Sequence, residues 1–292
     1  MDIVFELIKL SRPHQFIKNF FIFLPLLFGF QLTSPDLILA LFPAFISFCL
    51  AASAQYAFND IKDKDQDAVH PGKCRRPVAS GRVSVKNAYL FFIFTQFAAF
   101  GISALLMNVN FLFCLIAYMI LNLLYSSFLK RIAILDIISV ALCYVLRVLA
   151  GAFVLKITPS HWLILMTFLL ALFLALAKRR DDLVLIHNGR NTRQCIENYN
   201  FEFISSAMTV MASVTIVSYI LYTVSAQVTA KHGTDQLYIT TFWVILGFLR
   251  YMQLTFVDQK SSSPTKLVLT DRFLQVVIAC WIFTFITLLY LL

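Results

Sequence analysis

The residues best suited to chemistry lie in one short stretch, Asn59-Asp60-Ile61-Lys62-Asp63-Lys64-Asp65-Gln66-Asp67. If it is helical, each residue turns by about 100°. Asn59, Asp60, Asp63 and Asp67 then share a single face, while Asp65 points the other way. Like charges four residues apart on a helix repel, so such a face is costly unless a cation shares it. A set of hard oxygens with open positions suits Mg²⁺, which keeps several waters and bridges to substrate phosphates. A solvated acidic helix end would have the same composition. The residues that follow weigh against it: His70-Pro71-Gly72-Lys73-Cys74-Arg75-Arg76-Pro77-Val78-Ala79-Ser80-Gly81-Arg82 set Lys73, Arg75, Arg76 and Arg82 directly behind the acids. Metal-bearing carboxylates beside Lys and Arg can hold a diphosphate, with the Arg fork gripping its oxygens bidentately. The membrane-side bias of basic residues explains Arg82 and Lys86 equally well, but it does not call for carboxylates beside them.

Two further stretches repeat the mixture. Tyr125-Ser126-Ser127-Phe128-Leu129-Lys130-Arg131 is followed by Asp136, and Lys178-Arg179-Arg180-Asp181-Asp182 is followed by Arg190 and Arg193. Each is weak alone. Together the three clusters suit a polyanionic, metal-bound substrate. Arg147 stands apart, 11 residues past Asp136 and so about 16 Å further along a helix. A charge inside a membrane is expensive and by default functional. It could meet a lipid phosphate in an inner cavity, or it could bond the carbonyls of neighbouring helices, and the sequence leaves both open.

The elements that must position these groups are written for a bilayer. Of the 292 residues, 60% are hydrophobic and only 13% charged, against the roughly 25% charged residues of soluble domains. Apolar runs fall at 16–32, 36–58, 87–106, 109–127, 134–155, 161–177, 203–226, 237–257 and 272–292, each near the roughly 20 residues a spanning helix needs. The expected fold is all-α, a single polytopic membrane domain over 1–292 with about nine transmembrane helices. Residues 1–15 read as an interfacial helix ended by Pro13. If the runs span in turn, the connections on one side hold only Lys156 and Lys231 as basic residues. This is the positive-inside asymmetry. It puts the N-terminus and the long connections 59–86, 178–202 and 258–271 in the cytosol, around a cytosolic active-site mouth. The six cysteines, none in a CxxC pair, read as apolar fillers and loop thiols, with neither disulfide nor zinc expected. Membrane lipid is the expected surrounding, and no nucleic-acid partner is expected.

The Asn-Asp-x-x-Asp-x-x-x-Asp stripe at 59–67 resembles the first Asp-rich motif of the UbiA superfamily of intramembrane transferases, where it binds Mg²⁺ and a diphosphate at the mouth of a helical bundle. The second motif of that family, Asp-x-x-x-Asp, has no counterpart here: Lys178-Arg179-Arg180-Asp181-Asp182 holds its place, with Leu185 where a second Asp would fall. The strings Arg12-Pro13-His14-Gln15-Phe16-Ile17-Lys18-Asn19, Asp67-Ala68-Val69-His70-Pro71-Gly72-Lys73, Arg76-Pro77-Val78-Ala79-Ser80-Gly81, Tyr125-Ser126 with Leu129-Lys130, Lys178-Arg179-Arg180, Arg250-Tyr251 and Asp271-Arg272 are similar to a narrower branch, the decaprenyl-phosphate phosphoribosyltransferases. The resemblance implies Mg²⁺-dependent transfer of 5-phosphoribose from phosphoribosyl diphosphate (PRPP) to a polyprenyl phosphate, for cell-envelope glycan precursors. It implies Asn59, Asp60, Asp63 and Asp67 around the metal. Asp63, Asp67 and Lys130 would act in catalysis. Lys18, Lys73, Arg76, Tyr125, Asp136, Arg147, Lys178 and Arg179 would bind substrate. Both family reactions expel Mg-bound diphosphate from a carbon that develops positive charge, so one metal site can serve either. The alternatives are prenyl transfer from a prenyl diphosphate to an aromatic acceptor, which the missing second motif disfavours, and transport. A transporter would gather its polar residues near mid-membrane, whereas here they collect at one face.

Overall fold

The structure is a computed structural model and describes residues 3–29, 34–69, 72–187, 194–258 and 264–290. His70, Pro71, Arg190 and Arg193, which belong to two of the expected connections, lie outside the described residues, as does 259–263 in the third.

Every regular element among the described residues is helical. The chain opens with α1 (Ile3–Ser11), a 3₁₀ segment (Pro13–Phe23) and the short α2 (Leu24–Phe28). There follow α3 (Pro35–Lys62), α4 (Lys64–Val69), α5 (Val85–Leu106), α6 (Val109–Ser127) and α7 (Leu135–Val154). The remainder comprises α8 (His161–His187), α9 (Phe201–Val224), α10 (Ala226–His232), α11 (Thr241–Phe256), α12 (Pro264–Thr270) and α13 (Arg272–Tyr290). Eight described helices are long and apolar enough to cross a membrane: α3, α5, α6, α7, α8, α9, α11 with the turn leading into it, and α13. The protein is a multi-pass membrane protein. Within the segment 1–15, Ile3–Ser11 forms α1.

Two expectations are adjusted by local chemistry. The first apolar run, 16–32, is not one long α-helix but the 3₁₀ segment and α2. Pro13 and Pro25 supply no backbone N–H, and the aromatic side chains between them pack tightly, Phe20 against Phe45 with centroids 5.1 Å apart and Phe21 against Tyr144 at 4.7 Å. The sixth run, expected to end at 177, continues as α8 through the charged stretch to His187. Helix starts follow their caps. The Asn108 side chain accepts from the Phe111 N–H at 2.9 Å, and Asn200 from Phe203 at 2.7 Å, which satisfies donors that the first turn leaves without partners.

The helices group into two compact units, one built on α1 to α7 and one on the helices from His161 onward. In the first, Phe48, Phe111, Leu115 and Tyr118 centre a core closed by Leu41 and Ala44 of α3 and Ala150 of α7. Gly151 decides how closely α7 approaches the 3₁₀ segment, because a Cβ there would overlap the backbone carbonyl of Ile22. A smaller cluster joins Leu10 of α1, Ala57 of α3 and Ala88 of α5 to Val78 and Val83 of the turn between α4 and α5. In the second unit Phe173 of α8 packs edge-on against Phe248 and Tyr251 of α11. The Trp281 indole donates to the Tyr219 hydroxyl at 2.8 Å.

Candidate active site

The acidic stretch is not one continuous helix. α3 ends at Lys62, Asp63 is its C-cap, and α4 begins at Lys64. The step is small: the Asp63 N–H still reaches the Asn59 carbonyl at 2.9 Å, and the Asp67 N–H the Asp63 carbonyl at 2.8 Å. Turn-by-turn stacking therefore survives the break, and Asn59, Asp60, Asp63 and Asp67 stay on neighbouring faces.

Opposite them, the turn after α4 folds into successive short hydrogen-bonded loops: Arg76 N–H to the Lys73 carbonyl, Ser80 to Arg76, and Val83 to Pro77, each at 2.9 Å. Gly81 sits at φ 75°, the left-handed region that suits a residue without a Cβ. Val78 and Val83, both about 1% exposed, pin the turn into the small cluster below it. Arg76 is thereby aimed at the acids. Its Nη1 lies 3.2 Å from Asp60 Oδ1 and bonds Asp67 Oδ2 as well.

Lys130 arrives from the other side, on a short 3₁₀ turn between α6 and α7. Its ammonium pairs with Asp63 Oδ1 and donates to Asn59 Oδ1 at 3.3 Å. The Asn59 amide in turn donates to Asp63 Oδ2 at 3.0 Å. Ile134 closes this corner at φ 71°, ψ −49°, a conformation that is rare and strained for a β-branched residue. Such strain gathers where surrounding structure fixes a functional group.

A further cation belongs to the cluster and is not among the residues selected from sequence. Arg12 ends α1 and pairs with Asp60 Oδ1, with its guanidinium 5.1 Å from the centre of the Tyr56 ring. Its backbone is left-handed, φ 53°, ψ 62°, directly before Pro13, where the proline ring itself disfavours helical conformations. Burial pushes the Arg12 pKa down and Asp60 opposes the shift. Two signals in the sequence bear on it: the Arg-Pro pair, which otherwise reads as an ordinary helix end, and its place at the head of the string 12–19 that carries the resemblance.

The structure thus brings together Asn59, Asp60, Asp63, Asp67, Arg76 and Lys130, with Arg12 added. Lys73 lies in the same turn as Arg76, and Tyr125 is half-buried one turn before the Lys130 corner. Asp136 is fully buried in the first turn of α7. Arg147 lies deeper, and its hydrogen-bond partners among the described residues are neutral: Asn19 Oδ1 at 2.8 Å, the Cys143 carbonyl at 2.7 Å and the Tyr118 hydroxyl at 3.0 Å. Of the two roles open to it, the observed contacts are those of a helix-to-helix tie. Lys18 is half-buried on the 3₁₀ segment beside Asn19. Lys178 and Arg179 belong to the second unit. There Lys178 is exposed, and Arg179 is 2% exposed and bonded to Asp182 Oδ2 at 2.8 Å.

Among the described residues no three His, Cys, Asp or Glu side chains already converge on one point as a metal cage. The acids face cations instead. The donor set nevertheless fits a hard divalent ion that takes few protein ligands and completes its shell with water and phosphate. The Asn59 amide bonds Asp63 at 3.0 Å, and Asp67 follows one helical turn further along. Asp60 is 1% exposed, and its Oδ2 is buried without a hydrogen-bond partner, an atom that in most folded proteins would have one.

An all-helical membrane bundle with an acidic stripe faced by three cations defines a class, and comparison with known proteins agrees: the chain belongs to the UbiA prenyltransferase family, whose model matches residues 22–277. The chain is similar to the decaprenyl-phosphate phosphoribosyltransferase of Corynebacterium glutamicum, 30% identical over 98% of this chain and 87% of that one. It is similar to the protein of the same name from Mycolicibacterium smegmatis, 30% identical over 97% and 92%. Among solved structures it shares its fold with a UbiA homolog from Archaeoglobus fulgidus bound to DMAPP and Mg²⁺, with TM-score 0.69, 19% identity and coverage of 98% of this chain and 100% of that one.

Proposed function

We propose that this protein transfers 5-phosphoribose from PRPP to a polyprenyl phosphate such as decaprenyl phosphate and releases diphosphate, with Mg²⁺ as cofactor, at the cytosolic face of a bacterial cell membrane. The product would feed cell-envelope glycan synthesis. One observation carries the reading: an acidic site whose every carboxylate is met by a cation, Lys130 on Asp63 and Arg76 and Arg12 on Asp60 and Asp67. A prenyl diphosphate asks for cations at one diphosphate only. A sugar donor with a further 5-phosphate and an acceptor with its own phosphate ask for more. The names of the full-length relatives support the same choice.

Asn59, Asp63 and Asp67 would hold the metal. Bound there, Mg²⁺ neutralises the diphosphate and makes it a better leaving group. Arg76 and Lys130 are set to grip phosphate oxygens on either side of the acids, and Asp60 fixes Arg12 and Arg76. Lys73, Tyr125, Lys178 and Arg179 are further candidates for phosphate contacts. The lipid phosphate is already anionic near neutral pH, so it can attack the anomeric carbon without a general base. The residues contribute position and charge.

A donor-swap assay tests this. Purified protein with Mg²⁺ receives PRPP and a polyprenyl phosphate in one tube, and a prenyl diphosphate with 4-hydroxybenzoate in the other. A lipid-linked phosphoribose in the first tube alone, lost in EDTA, is the expected result. Product in the second tube alone would return the chain to aromatic prenylation.

A further inference from the structure

We propose that Arg76 and Lys130 are exchangeable counter-ions that yield Asp67 and Asp63 to a metal only when a diphosphate takes them over, so that metal and diphosphate bind as one interdependent unit. The inference rests on the reading of this site as a metal–diphosphate site and concerns how that site is loaded.

The charges balance as they stand. Asp60, Asp63 and Asp67 contribute three negative charges, and Arg12, Arg76 and Lys130 three positive ones, each cation paired with at least one of the acids. Asp60 and Asp67 are buried, and the Lys130 side chain is only 11% exposed, so bulk water screens these pairs weakly. A divalent ion arriving alone must displace Lys130 from Asp63, or Arg76 from Asp67. Either cation is then left beside an added double charge with no anion to receive it, and an uncompensated charge in a sheltered site is strongly unfavourable. A diphosphate alone meets the opposite obstacle, since the cations it needs are engaged by the carboxylates. Arriving together, metal and diphosphate let every group change partners without leaving a bare charge. Asp60 keeps the exchange local. It holds both arginines through Oδ1 while Oδ2 has no partner, so Arg12 and Arg76 can turn toward phosphate without losing their anchor. Arg12 thereby becomes a phosphate-facing residue supplied by α1.

The test uses Mn²⁺ as a spectroscopic probe of bound metal on the full chain in lipid nanodiscs, with and without pyrophosphate. In the wild type, Mn²⁺ alone should bind at least tenfold more weakly than in the presence of pyrophosphate. The decisive comparison uses Lys130→Met with Mn²⁺ alone: freeing Asp63 should tighten binding severalfold although KM for PRPP rises. Arg76→Gln should do the same through Asp67, which provides a second variant should the first fail to fold. If both folded variants bind Mn²⁺ alone no better than wild type while Mn²⁺ with pyrophosphate still binds, the exchange is refuted and the site stands. If Mn²⁺ fails to bind under any condition, the metal site itself falls, and the proposal with it.

Discussion

Arg147 donates through Nε to Asn19 Oδ1 at 2.8 Å, joining α7 to the 3₁₀ segment across 128 positions of sequence. The bond lies one helical turn from Gly151, where α7 runs against the backbone of Ile22. A close approach and a charged tie therefore fasten the same pair of elements. Around the guanidinium, the Tyr118 and Tyr144 rings lie 4.6 and 5.5 Å away, so the charge is stabilised by dipoles and ring faces rather than by a carboxylate.

Replacing Arg147 with Met should therefore cost stability before it costs chemistry. Asn19 and Tyr118 would lose a charged partner while remaining buried, a loss of about 1–3 kcal/mol. Thermal unfolding in detergent, read beside the Michaelis constants of whatever protein remains folded, checks this. An unchanged midpoint with a sharply raised constant for the lipid would assign Arg147 to substrate instead.

Gly151→Ala should destabilise strongly, because the added methyl meets a backbone carbonyl that cannot step aside; overpacking of this kind costs about 1–3 kcal/mol or more. Gly101→Ala in α5 is the control. Nothing lies within 4 Å of a Cβ there, and helix propensity favours Ala by about 1 kcal/mol. The unfolding midpoint should fall for the first variant and hold or rise for the second.

Asp63→Asn and Asp67→Asn each replace a charged oxygen by a neutral one of the same shape. Each should lower turnover by about 100-fold or more, as loss of a charge-stabilising group at a reacting centre does, with little effect on folding. Initial rates and unfolding curves on the same preparations decide. Near-normal rates for both variants would remove the metal-site argument.

Lys130→Ala should raise KM for PRPP more than for the polyprenyl phosphate, by about tenfold for a lost charge-assisted contact worth about 1.5 kcal/mol. Separate titrations of the two substrates measure the split. The reverse order would assign Lys130 to the lipid phosphate.

Much of this arrangement is legible in the chain. Four-residue spacing brings Asn59, Asp63 and Asp67 to one side whether or not the helix is continuous, so the break at Asp63 leaves their grouping intact. Lys130 and Arg76 are legible by their company, each in a mixed-charge stretch beside an apolar run. Arg12 is not. Its position depends on a left-handed residue before Pro13 and on the docking of Leu10, and neither leaves a periodic pattern. The run at 16–32 misleads because hydropathy measures how apolar a segment is, and not whether its backbone bonds to the third or the fourth residue along. Arg147 shows a third limit: sequence can flag a buried charge, but only the surrounding groups tell whether that charge is already satisfied.

The packing of Leu10 against Val78 and Val83 bears on how the protein is handled. α1 is wedged beneath the turn that aims Arg76, and its own end supplies Arg12, while Val4, Phe5 and Ile8 remain exposed on its outer side. Shaving off the first dozen residues to tidy an expression clone would pull a doorstop from under the turn that carries Arg76. A bulky tag fused at that end would press on the same packed cluster, so affinity handles belong at the other terminus.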